Sequence, residues 1–270
     1  VMIGSEYELE FFATHKDEIQ SETGCLVVVS PLEAVQTAND KWLTTEFFSK
    51  HKIHYAECFV SGKLEDVINK ADELGYPLML KSRTGTSSRN VHIVRGEKDI
   101  LNLFEKVPSP MLQRIISMPD TQLSHEYTCS VFKCSNGSIL GPFTARRTLR
   151  WGSSWNIEVG DFVELHPVLI AIGEECSAMG TLNIQLMVGP EGPIPFELNS
   201  RFSGTTAIRA YYGFNEPEMV LRNYYLHETL SSPTIRKGLA LRYMEEVFVE
   251  GISMHDLKPP FSKGRIKQWF

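Results

Sequence analysis

The sequence predicts an α+β fold, with helices and short strands mixed over the first 115 residues and antiparallel sheet dominating afterwards. Three observations predict it. Apolar residues at helical spacing, opened by Ser or Pro and closed by Gly, recur along the first part of the chain. Short runs rich in Val, Ile and Leu lie between them, and from Tyr127 onward such runs follow one another more closely. Finally NIQLMVGPEGPIPFELNSRFSGTT, Asn183 to Thr206, is two apolar runs joined by a Gly/Pro turn, which is a hairpin pattern.

The elements follow in order. Ser5 and Glu8 form a capping-box start to a helix through Glu22, which Gly24 ends before the strand CLVVVS at 25–30. Ser30-Pro31-Leu32-Glu33 is a second capping box, opening a helix through about His51. A helix at Glu65–Leu74, ended by Gly75 and Pro77, leads into the strand PLMLK. Val91–Val94 is a strand, Lys98–Val107 a helix and MLQRII a further strand. Strands at Tyr127–Lys133 and Ile139–Arg147, a helix at about Leu165–Met179, the hairpin, a helix at Glu216–Leu230 and a strand at Leu239–Val249 complete the reading.

The composition narrows the function. A chain of 270 residues, 42% of them hydrophobic, can bury a full core. No apolar run is long enough to span a bilayer, and the first residues carry no secretory pattern, so a cytoplasmic protein without a membrane partner is expected. The five cysteines form no CxxC pair, which points to reduced thiols and to neither a disulfide framework nor a structural zinc. A net charge of −6 argues against nucleic acid as a partner.

The hairpin carries polar groups where plain core would suffice. With a loop at Gly189–Pro193, pairing is symmetric about Glu191, so residue 188 faces 194, 186 faces 196 and Gln185 faces Glu197. Alternation then puts Ile184, Leu186, Val188, Ile194, Phe196 and Leu198 on one face, and Asn183, Gln185, Glu197, Asn199 and Arg201 on the other. A carboxylate, amide oxygens and a guanidinium so close together suit Mg²⁺ and phosphate, whereas a merely solvated sheet face usually carries Lys and Thr.

A second constellation is LMLKSRTGTSSRNVHIV. Lys81 ends a strand, and the segment Arg83, Thr84, Gly85, Thr86, Ser87, Ser88, Arg89, Asn90 combines small hydroxylated residues with positive charge, a composition that closes on phosphate oxygens. The loop returns into a strand and lacks GxxxxGK[ST], which excludes a Walker-type loop.

Lys-x-Arg-Thr-Gly-Thr-Ser-Ser, then Gln185, then Glu197-x-Asn199-x-Arg201, in this order and spacing, resemble the ATP-grasp superfamily, nearest the branch of the carbamoyl-phosphate synthase large chain and related carboxylate-amine ligases. The likeness runs from about Ser30 to Thr229. It implies an ATP-grasp fold: residues 55–115 as a small α+β lid subdomain, 116–270 as a larger antiparallel-sheet catalytic subdomain, and 1–54 as the end of an N-terminal α/β domain with its linking helix. It implies ATP held by Lys41 and Lys81 at the phosphates, by the loop 83–90 over them, by Gln113 and the backbone of Arg114, Ile115 and Ile116 at the adenine, and by Glu126 near the ribose. Gln185, Glu197 and Asn199 match the metal ligands, with Glu197 expected to bridge two Mg²⁺ ions, and Arg201 matches the arginine beside the transferred phosphate.

Two departures are evident. Lys81-Ser82 and Asn199-Ser200-Arg201 stand where the family usually has Lys-Pro and Asn-Pro-Arg, and neither change removes a ligand. Only the first 30 residues match the N-terminal domain, so the resemblance implies that a separate chain or a missing segment supplies the rest.

The implied activity is ADP-forming carboxylate-amine ligation through an acyl phosphate, with small-molecule acid and amine as partners. Rival readings are a fragment that phosphorylates bicarbonate or carbamate, and a subunit that binds ATP without turnover. Candidates for gripping the acid are Arg146, Arg147 and Arg150 beside Trp151 and Trp155, with Arg209, which is also a candidate catalytic group together with Arg201 and Lys81.

Overall fold

The computed structural model describes residues 1–85, 90–116, 126–242, 248–250 and 265–267. The chain divides into two compact units, Val1–Ala240 and Leu241–Phe270. The second contains an antiparallel pair of strands, Phe248–Glu250 with Arg265–Lys267.

The first unit begins with a single 3₁₀ turn, Glu6–Glu8, and helix α1, Leu9–Thr23. Gly24, at φ +69°, closes α1 in the left-handed conformation that glycine adopts without steric cost. The expected Ser5 capping box is not formed. Its hydroxyl makes no capping bond and its carbonyl accepts from Glu8 N instead, so the entry tightens to 3₁₀. The expected strand at 25–30 is reduced to one parallel bridge, Met2 to Val28, although Val27 and Val29 are buried in a small cluster with Ile3, Leu9 and Val35.

One long helix was expected from Ser30 to about His51, and the structure has two: α2, Leu32–Asn39, and α3, Lys41–Lys50. Asp40 sits between them in extended conformation and its carboxylate accepts from Trp42 N and Leu43 N, capping α3. An Asp that offers its own helix start outcompetes continuation of the preceding helix. Ser30 does not cap α2; its hydroxyl accepts from Met179 N.

Next come β1, Cys58–Phe59, α4, Leu64–Leu74, β2, Leu78–Ser82, β3, Val91–Val94, α5, Glu97–Leu103, and β4, Pro110–Arg114. The four strands form an antiparallel sheet in the order β1-β4-β2-β3, and its inner face packs Leu78, Leu80, Val94 and Leu112 against Val67, Ala71 and Leu74 of α4 and Ile100 of α5. The two-residue β1 carries almost no sequence signal, and its place is fixed by pairing of Cys58 with Gln113.

The larger sheet comprises β5, Glu126–Lys133, β6, Ile139–Phe143, β7, Ala145–Arg150, β8, Ser153–Val159, β9, Gly180–Gly189, β10, Gly192–Asn199, and β11, Gly238–Leu241. Its order is β10-β9-β5-β7-β8-β11, with β6 pairing β5. The expected strand Ile139–Arg147 is split at Thr144, whose hydroxyl donates to Gly160 O, and β8 was not anticipated. Helix α6, His166–Glu175, packs Leu169 and Ile172 on Ile184, Leu186 and Leu198, and Phe48 of α3 with Ala38 of α2 joins the same core. The expected helix Glu216–Leu230 is α8, Glu216–Val220, continuing as one π-helical stretch to Tyr225; it follows α7, Thr206–Tyr211.

The hairpin β9–β10 departs from its expected register near the turn. Gly189 pairs Gly192 around a two-residue turn, so Pro193 faces Val188, Ile194 faces Met187 and Pro195 faces Leu186. A bulge at Phe196 then inserts one residue and restores the expected pairs Glu197 with Gln185, Leu198 with Ile184 and Asn199 with Asn183. Ile194 therefore shares the face of Met187 and Gln185, not the core face on which the symmetric pairing put it, and Phe196 occupies the bulge.

Candidate active site

The polar face of the hairpin is assembled as expected at its root. Gln185 Nε2 donates to Glu197 Oε1 at 3.0 Å and Asn199 Nδ2 donates to the same oxygen at 2.9 Å. Glu197 Oε2 and Asn199 Oδ1 accept no hydrogen bond among the described residues. The neighbouring strands extend this face. Arg147 of β7 donates from Nη2 to Gln185 Oε1 at 2.6 Å and from Nε to Glu126 Oε1 at 3.1 Å, crossing β5 to join three strands.

Lys81, on β2 of the smaller sheet, is only 5% exposed and donates to Gln113 Oε1 at 2.6 Å. Burial lowers its ammonium to about 8, Lys41 nearby pushes the same way, and Cys58 and Glu197 oppose them. Lys41 and Glu197 thus both stand close enough to Lys81 to act on its charge, and α3, which Lys41 opens, packs against β10, which carries Glu197. The Gln113 amide in turn donates to Cys58 Sγ at 3.2 Å, so this side chain is engaged by Lys81 and Cys58.

Lys41 opens α3 and donates to Gly85 O at 2.9 Å, while its backbone N–H donates to Arg83 O at 2.9 Å. Arg83 grips Asp40 with two parallel bonds, Nε to Oδ1 at 3.1 Å and Nη2 to Oδ2 at 2.6 Å. Asp40 was missed by the sequence reading, though an Asp directly before the helix-opening Lys41 is a capping signal. It caps α3 and clamps Arg83, tying the start of the loop to the helix that carries Lys41. Thr84 and Gly85 are exposed; Thr86, Ser87, Ser88 and Arg89 lie outside the described residues. Arg114 is exposed and pairs with Glu57 at 3.4 Å, and Ile115 and Ile116 follow β4, half-buried.

Among the proposed acid-gripping residues, the structure brings Arg147 to this face, and Arg209 to the same face in full burial, where it donates to Thr128 opposite Gln185. Arg146 alternates with it to the other side, bonded to Glu158 and stacked on Phe162. Ser154 accepts from Arg147 Nη1 and pairs Leu149, so the next pair, Arg150 with Ser153, lies on the reverse face. There Arg150 stacks on Trp151 and Trp155 at 4.3 and 4.7 Å, with Trp151 68% exposed. Arg209 is corrected outright. It and Glu216 are both 0% exposed and ion-paired at 3.0 Å, with Glu216 also accepting from Ser130 at 2.6 Å and from Thr181. The guanidinium is closed in by Glu216, by Thr128 Oγ1 and by the Cys129 carbonyl.

No family model matches the sequence. The curated carbamoyl-phosphate synthase of Methanobrevibacter smithii is 24% identical over 115 residues, 43% of this chain and 31% of that protein. The fold superposes on carboxyaminoimidazole ribonucleotide synthase from Aspergillus clavatus, solved with ATP, with TM-score 0.68 at 18% identity over 85% of this chain and 62% of that one. It also superposes on the biotin carboxylase domain of Hydrogenobacter thermophilus 2-oxoglutarate carboxylase, solved with MgADP, ADP and bicarbonate, with TM-score 0.71 at 15% identity over 90% of this chain and 62% of that one. This is the ATP-grasp fold. The chain spans under a third of the curated relative and about three-fifths of these solved chains.

In the ATP-grasp fold of this chain, the donor set suits a hard cation. Among the described residues no three His, Cys, Asp or Glu converge, so coordination would rest on one carboxylate and the amides beside it. The two open oxygens, Glu197 Oε2 and Asn199 Oδ1, are oxygen donors of the kind Mg²⁺ prefers. Lys81 adds a pH dependence. Its ammonium is charged below about pH 8 and loses its proton above it, so a phosphate-binding role weakens as pH rises. The kcat/KM for ATP is expected to fall through that region, and Lys81→Arg, charged throughout, should remove the fall; a profile from pH 7 to 10 checks it.

Proposed function

We propose that this chain is an ATP- and Mg²⁺-dependent ligase that joins a carboxylate to an amine through an acyl phosphate. One observation carries the reading: Glu197, gathered with Gln185 and Asn199, and Lys41 both stand within electrostatic reach of the buried Lys81, and the helix that Lys41 opens packs on the strand of Glu197. A carboxylate beside amide oxygens, with lysine ammonium groups nearby, suits a metal-bound triphosphate.

Lys81, Lys41 and Arg83 hold phosphate oxygens, and phosphate oxygens replace the Gly85 carbonyl and Asp40 as their partners. Glu197 and Asn199, with Gln185, hold Mg²⁺. When bound, the ion neutralises charge developing on the transferred phosphoryl group. Residues 55–115 act as the lid over residues 116–270, with 1–54 leading into them. Arg201 at the end of β10 and Arg147 on its face steady the acid. An oxygen of the acid attacks the γ-phosphorus, the β–γ bridging P–O bond breaks, and ADP leaves. The amine nitrogen then attacks the acyl carbon, the bond to the phosphate oxygen breaks, and phosphate departs with the proton from nitrogen. No protein nucleophile is needed.

Bicarbonate is the acid with specific support, because the matched segment belongs to a carbamoyl-phosphate synthase and one structural neighbour was solved with bicarbonate. Five free thiols fit a reducing compartment, in line with a cytoplasmic enzyme. ADP release, measured over pooled carboxylates that include bicarbonate and over pooled amines, tests the reading. Acceptor-dependent ADP is expected. ATP binding with no turnover for any acceptor would instead favour a nucleotide-sensing subunit.

A further inference from the structure

We propose that Glu6 is a positioning residue for Arg201, so that the turn at Glu6–Glu8 forms part of the reaction centre; this rests on the ligase reading above. Arg201 follows the hairpin face by two residues from Asn199, and its guanidinium is fixed at two points. Nη2 donates to Glu6 Oε2 at 2.6 Å and Nη1 donates to Phe202 O at 3.1 Å. Both members of the ion pair are largely shielded, Arg201 at 16% and Glu6 at 19% side-chain exposure, so the pair is less screened than a surface one.

Packing alone does not set the guanidinium. A cavity of about 20 Å³, room for one water, lies between the segment carrying Ile3 and Leu9 and the Ser200–Phe202 turn, and Arg201 lines it. Ser200 Oγ beside it is buried and has no hydrogen-bond partner among the described residues. With space on that side, the Glu6 carboxylate and the Phe202 carbonyl are the groups that fix the fork, and Glu6 is the charged one. An arginine has five donors in a fixed plane, so these two bonds leave three for an anion.

The placement of Glu6 is itself supported. Ile3 and Leu9 flank it and are buried with Val27, Val29 and Val35. The 3₁₀ turn that replaced the expected capping box presents Glu6 inward and leaves Glu8, the other acid of the turn, exposed.

The experiment compares Glu6→Gln, Glu6→Asp, Arg201→Lys and Glu6→Gln with Arg201→Lys, with Glu8→Gln as control, in acceptor-dependent ADP release. Glu6→Gln is expected to lower kcat by about 10- to 100-fold, the scale of a misplaced catalytic contact. KM for ATP should stay within about two-fold, because ATP binding is not what the pair serves. Glu6→Asp should recover part of kcat, Glu8→Gln should match the unsubstituted chain, and the double variant should be no worse than Arg201→Lys alone. Equal kcat in Glu6→Gln, fully additive losses, or a rise in kcat would overturn the proposal; a rise would mean that Glu6 covers Arg201 against its substrate. If Glu6→Gln melts early, its kcat is read below the onset of its melt and the same criterion applies. If the unsubstituted chain turns over no acceptor at all, the ligase reading fails first, and this proposal falls with it for lack of a reaction.

Discussion

Glu197→Ala is expected to reduce ATP turnover by at least about a thousand-fold while moving the unfolding midpoint by no more than about 2 °C. The carboxylate is the one formal negative charge in the cluster with Gln185 and Asn199, and it collects both of their amide donors on a single oxygen. Removing it deletes the strongest hard-oxygen ligand and leaves two neutral amides, which bind Mg²⁺ poorly from water. The fold should tolerate the change. The apolar face of the hairpin, with Ile184, Leu186 and Leu198 in the core, is untouched, and the two freed amides, half-buried Gln185 and buried Asn199, lie on its opposite, polar face. ADP release over a Mg²⁺ titration, together with a thermal melt, checks both halves. Persistent turnover would move the reaction away from this hairpin.

The opposite behaviour is expected at Glu216. Glu216→Ala should cost roughly 3–5 kcal/mol of stability, because it strands Arg209 without its counter-charge in the core. The loss extends beyond the ion pair, since Glu216 also accepts from Ser130 and Thr181, and so braces β5 and β9 on the face that carries Asn183 and Gln185. One guanidinium nitrogen, Arg209 Nε, already lacks a hydrogen-bond partner among the described residues, and the bonds left after loss of Glu216, to Thr128 Oγ1 and Cys129 O, are long ones to neutral oxygens at 3.4 Å. Arg209→Met with Glu216→Leu should recover much of the loss, since a neutral pair of similar volume removes the stranded charge. Urea unfolding of the three variants measures it, and a loss under about 1 kcal/mol in Glu216→Ala would show that Arg209 finds solvent.

The contrast between these residues also shows what the sequence could and could not reveal. Gln185 and Glu197 were legible as neighbours because residues that must share one face obey the two-residue strand period, and a bulge that shifts the turn leaves the root in place. Arg209 was misread because an arginine near a catalytic strand looks the same in sequence whether it faces a ligand or a buried carboxylate seven residues away. Asp40 and Glu6 were overlooked for a related reason. Each acts through a partner distant in the chain, Arg83 and Arg201, and no local spacing encodes such a pairing. Long helices and strands on core faces were legible, while breaks at Asp40 and Thr144 were not, since single side chains made them, Asp40 by capping the next helix and Thr144 by reaching Gly160 O.

The bulge at Phe196 shapes the surface lengthwise. By returning Ile194 to the side of Met187, it makes the strip greasy toward the hairpin tip and charged toward the base, where Glu197 and Asn199 stand. One inserted residue thus gives a symmetric ribbon a polarity along its length.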